Sequence, residues 1–133
     1  MITLKTLPFA TEQEVLDQVV AHLLTQNARS QLPLGGPCVY RGPRGLKCAA
    51  GCLISDQEYH PSWLDKRWAV LVDAGEVPAT HKFLIADLQR IHDNISVRQW
   101  EKHLRGLALE HCLTFNFKGN ENGSNAPCGS RRS

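Results

Sequence analysis

A chain of 133 residues with 42% hydrophobic and 21% charged residues has the size and balance of one globular domain with its own core. A net charge of +2 is too mild to mark a nucleic-acid binder, and it excludes an acidic mimic of DNA. No run approaches the roughly eighteen apolar residues of a membrane span, and Met1 to Lys5 lacks the basic start and apolar run of a secretory signal, so a cytoplasmic location is expected.

Thr11 through Ala28 predicts a helix. Val15, Leu16, Val19, Val20, Leu23 and Leu24 paint one apolar stripe, and Thr11 with Glu14 forms a capping box at its start. Pro33, Gly35, Gly36 and Pro37 then break the pattern into a loop. Cys38 to Arg41 reads as a short strand, Gly42-Pro43-Arg44-Gly45 as a turn, and Leu46-Lys47 as the returning strand of a two-stranded β-hairpin. Cys48 to Ile54 is a run of small and apolar residues, expected to form a short buried helix closely approached by another backbone.

Ser62 is placed to cap a further helix that ends at Gly75, with Leu64, Trp68, Leu71 and Val72 inward. Thr80 to Asn94 predicts another, carrying Leu84, Leu88 and Ile91 inward. Ser96 and Gln99 suggest a capping box for the last helix, whose inner face is Val97, Trp100, Leu104, Leu107 and Ala108. Residues 118–133 are rich in Gly, Asn and Ser and read as a disordered polar tail. The expected fold is mainly α: four to five helices around one core in residues 1–117, with the hairpin after the first helix.

Five cysteines cannot form a closed set of intramolecular disulfides. Cys38, Cys48 and Cys52, with His60 a short loop away, supply the donor types of a zinc site, but no pair has the two-residue spacing of a knuckle. Buried thiols packed as small hydrophobes explain them more simply, so no metal or other cofactor is expected. No phosphate cradle, zinc-helix motif or serine elbow occurs, and no catalytic residue is assigned. His81, His92, His103 and His111 fall on predicted helices among charged residues, where a solvated surface is expected. Arg98, Lys102 and Arg105 make a basic stripe on the last helix, a candidate nucleic-acid contact diluted by Glu101 and Glu110. Tyr40, Arg41, Arg44 and Trp63 are the aromatic and arginine mixture of a protein contact surface, although Tyr40 serves equally well to pack the hairpin down.

The stretch from Cys38 to Ile54, CVYRGPRGLKCAAGCLI, joined to the later LIADLQRIHD of residues 84–93, resembles a group of small phage- and prophage-encoded proteins. The likeness covers roughly residues 11 to 113, and it carries over no catalytic residue. It implies a setting in which accessory genes interfere with host machinery or host defence. The expected function is therefore a non-enzymatic module that engages a host protein or protein complex, sharpest as a defence inhibitor of anti-CRISPR type. A nucleic-acid-associated regulator and a small thiol or metal-dependent enzyme stand as alternatives, and oligomeric state is open.

Overall fold

Thr11 starts the first helix as its sequence requires. In the computed structural model, which describes residues 1–117, its side chain accepts from the Glu14 N–H at 3.1 Å, while the Glu14 carboxylate accepts from the Thr11 N–H at 2.8 Å. Helix α1, Glu12–Gln26, then buries Val15, Leu16, Val19, Val20 and Leu23, and it stops at a left-handed Asn27. Replacing Thr11 with Ala is expected to cost about 1 kcal/mol, read as a lower urea midpoint at unchanged slope. The expected polar tail, 118–133, lies outside the described residues.

The expected hairpin is not formed, and no strand occurs among the described residues. Lys47 should have supplied backbone to the returning strand, but α1 claims it first. Its N–H donates to the Gln26 side chain at 3.0 Å, and its carbonyl accepts from Gln26 at 2.9 Å and from His22 Nε2 at 2.9 Å. Pro43–Gly45 is a 3-10 turn, with Arg44 and Gly45 both at positive φ. The extended residues instead pair backwards, through one antiparallel bridge between Gln31 and Cys38, flanked by Val39 N–H to Ser30 O at 2.9 Å and Leu32 N–H to Pro37 O at 3.0 Å.

The small-residue run after it makes the expected close approach. Ala50–Leu53 is a buried 3-10 turn, and a Cβ on Gly51 would lie 2.5 Å from the Tyr40 carbonyl oxygen.

The single helix expected after Ser62 is broken. Pro61–Trp63 is a 3-10 turn, Asp65 is left-handed, and helix α2 occupies only Trp68–Asp73 before Gly75 turns at φ +76°. The break is tertiary in origin. Trp63 Nε1 donates to Glu76 at 2.9 Å, and the Tyr40 hydroxyl donates to the Lys66 carbonyl at 2.6 Å. Leu64, expected inside, is consequently exposed.

Helix α3, Lys82–Asn94, buries Leu84, Ile85, Leu88, Ile91 and His92. Helix α4, Trp100–Glu110, follows a 3-10 turn at Val97–Gln99 and buries Trp100, Leu104, Leu107 and Ala108. The capping box expected at Ser96 is absent. Ser96 makes no side-chain cap, and its carbonyl takes the Gln99 N–H at 2.8 Å. The core lies between α1, α3, α4 and the Ala50–Leu53 turn, with α2 against α3. Among the described residues no helix is long and apolar enough to cross a membrane.

One carboxylate ties the first residues to this body. Glu58 accepts the N–H groups of Leu4 at 2.9 Å, Lys5 at 3.0 Å and Ser55 at 2.9 Å. Burial by itself would raise its pKa, but these N–H bonds outweigh it and hold the carboxyl below its ordinary value of 4.5. A depressed folded pKa gives stability that is complete above the unfolded value and is lost as pH falls through the folded one. Glu58→Gln is therefore expected to flatten the acid limb of the stability–pH curve, measured by urea midpoints from neutral to acid pH.

Candidate functional site

A connected polar arrangement lies where the loop after α1 meets α3. His92 is fully buried and stacks on Trp100 with ring centroids 5.5 Å apart. The Ser30 N–H donates to His92 Nε2 at 2.9 Å. That nitrogen is therefore the acceptor, and Nδ1 carries the proton, donating to Asp93 at 2.7 Å. The same Asp93 oxygen accepts from Gln89 at 2.8 Å, and Gln89 in turn accepts the Ala50 N–H at 2.9 Å. Cys38 bonds to Asp93. Arg29 donates to the carbonyls of His92 at 2.9 Å and Ile95 at 2.6 Å, closing the end of α3.

Cys38, His92 and Asp93 bring one ligand atom each to within 4.8 Å of one another. Their chemistry is nonetheless spent on structure. A metal at His92 Nδ1 would move the ring proton to Nε2 and set it against the Ser30 N–H, donor facing donor. Burial first, then the Asp93 charge and hydrogen bond, push the Cys38 thiol up to about 11. It is neutral at pH 7, so it is neither a ready nucleophile nor a ready ligand. The cluster anchors both ends of the loop 31–38.

The zinc set considered from sequence does not converge. Cys38 and Cys48 share a cavity of about 200 Å³ with Tyr40, Gln89 and Asp93. The Cys52 thiol, however, donates to the Ala49 carbonyl at 3.2 Å, and His60 is exposed beside Ser62.

The four residues picked for a protein contact are dispersed in role. Trp63, expected at the surface, is 4% exposed, and Tyr40 is buried beneath its bond to Lys66. Arg41 turns inward to the carbonyls of Gly51 at 2.9 Å and Ile54 at 2.6 Å and pairs with Asp56 at 3.2 Å. Arg44 alone of the four projects into solvent. In the basic stripe Arg98 and Lys102 are exposed, but Arg105 is half-buried, paired with Glu101 at 3.2 Å and lying 4.4 Å over the Phe115 ring. His92, expected on a solvated face, is in the core.

Sequence reasoning missed two features. At the tip of loop 31–38, Leu34 is fully exposed and held at φ +62°. The Gly36 N–H bonds back to Leu32 O at 3.2 Å, and Gln31 donates to the Gly36 carbonyl at 2.7 Å, so the strained turn is fixed from within. A leucine set inside a run of Pro and Gly was the available signal. The second feature is an open groove of about 1110 Å³ along the outer face of α1, with Phe9 86% exposed at its edge. In comparisons with known proteins, no family model, no curated protein and no solved structure matches the chain.

Proposed function

We propose that the chain is a non-enzymatic binding module that engages a host protein and modulates it, with the loop around Leu34 as its principal contact. One observation carries this reading. An exposed leucine at left-handed φ costs about 1–2 kcal/mol and gains no burial among the described residues. The buried His92–Asp93–Cys38 network stabilises the loop that imposes this strain. Such an arrangement presents a preorganised apolar anchor to a protein pocket, where ordering has been met in advance. In the setting implied by the resemblance to phage proteins, the sharpest form of the reading is an inhibitor of a host defence complex, of anti-CRISPR type.

The test is affinity capture from a nuclease-treated bacterial lysate with the tagged chain and with Leu34→Asp and Leu34→Gly. One protein recovered near stoichiometry, and reduced at least about tenfold in both variants, is expected. Leu34→Gly relieves the positive φ, so its melting temperature is expected to equal or exceed the parent's while its binding falls. Equal recovery by all three chains, or no recovered protein, overturns the reading. Loss of every partner on nuclease treatment favours the nucleic-acid alternative through Arg98 and Lys102.

A further inference from the structure

The groove along α1 is a second surface, separate in residues from the Leu34 loop. Its floor is the helix stripe Asp17, Gln18, Ala21 and Thr25, in which Ala21 and Thr25 are exposed and short. Ile2 and Phe9 stand on the N-terminal segment beside it, and Leu46 on the turn that α1 holds through Lys47. A small-residue floor admits close approach of another helix, and apolar walls suit an amphipathic one.

The charges along the groove are polarised. Near the start of α1 lie Glu14 and Asp17, whose partners among the described residues are amide groups: Glu14 accepts from the Thr11 N–H, and Asp17 from the Gln13 and Asn116 side chains. Near its end lie Arg44, exposed, and Lys47, 3.8 Å from Asp56. His22 is held below its usual pKa by burial first, so it adds no charge there at neutral pH. Helices ordinarily carry acids in the first turn and bases in the last. A helix of that pattern matches this groove in one direction only, antiparallel to α1, which also opposes the two helix dipoles.

We infer that the α1 groove binds an amphipathic helix of a protein partner, antiparallel to α1, with acidic residues in its first turn against Arg44 and Lys47 and basic residues in its last turn against Glu14 and Asp17. The stripe from Glu14 to Thr25 calls for a peptide of about 14 residues, ~21 Å as a helix.

The probes are two synthetic peptides of that length with the same Leu/Ala face, one with Glu in the first turn and Lys in the last, the other with those charges exchanged. Each is titrated onto the full chain by fluorescence anisotropy. The first is expected to bind about tenfold more tightly at low ionic strength, with the gap closing as salt rises. Asp17→Lys combined with Arg44→Glu leaves one charge of each sign at either end and is expected to erase the difference between the peptides, and Ala21→Trp, which fills the floor at an exposed position, to abolish binding of both, with circular dichroism confirming the fold of each variant. Leu34→Asp should bind the peptides as the parent does, so failure here and failure of the Leu34 reading are separable. Absence of binding, equal binding of both peptides by the parent chain, or a preference undiminished by the double charge reversal overturns the inference. A concentration-dependent dimer that Ala21→Trp dissolves also overturns it, assigning the groove to a second copy of the chain.

Discussion

His92→Ala is expected to destabilise the chain by about 4 kcal/mol, among the largest effects of any single side-chain truncation. Two losses add. The imidazole fills a core site against Trp100, and its removal leaves a cavity. It also leaves the Ser30 N–H buried without its acceptor, which costs about 1–3 kcal/mol by itself. His92→Phe separates the two, since it restores volume but no acceptor, and roughly half the loss should return. Urea titration followed by tryptophan fluorescence measures both, as His92 lies directly on Trp100. A loss under 1 kcal/mol for the alanine variant would show that the loop is held without this network.

Gly51→Ala is the second large effect, about 3 kcal/mol destabilising. Its new Cβ would stand 2.5 Å from the Tyr40 carbonyl oxygen and 3.3 Å from Cys48 Sγ. Backbone meets backbone here, so no rotamer change relieves the clash. Tyr40 is also pinned at its other end to Lys66. The same substitution at Gly106 in α4 meets nothing within 4 Å and is expected to stabilise by about 0.5–1 kcal/mol through helix propensity. Thermal melts of the two variants should therefore move in opposite directions. If Gly51→Ala melts within a degree or so of the parent, the close approach of the two segments is not what positions the Ala50–Leu53 turn.

What could be read in advance follows how local its cause is. The start of α1 was legible because Thr11 and Glu14 satisfy each other within one turn. The approach at Gly51 was legible because only small residues surround it in sequence. The hairpin was not, since the groups that cancel it, Gln26 and His22, lie more than twenty residues from Lys47. Trp63 looked like a surface residue because its partner Glu76 is 13 positions away, beyond the break that separates α2 from it. His92 looked solvated because its neighbours are Asp93 and Asn94. Its burial depends on Ser30, 62 residues earlier. At the candidate sites, the exposed Leu34 and the charge order along α1 depend on the placement of whole segments, and only the Pro/Gly frame around Leu34 was visible beforehand.

The Cys48 thiol has a use that follows from its surroundings. Burial pushes it up to about 12, and it is 1% exposed. Alkylating reagents require both access and thiolate, so in the closed state this sulfur is silent. It becomes visible only when the segment around it opens. The rate at which an electrophile labels Cys48, compared with the rate in a denatured chain, then measures the free energy of that local opening. Because Ala50 is tied to Gln89 and so to the Asp93 and His92 cluster, the same clock runs faster whenever the base of the Leu34 loop loosens. Occupancy of that loop by a partner is thus readable as a slower chemistry at a sulfur the partner never touches.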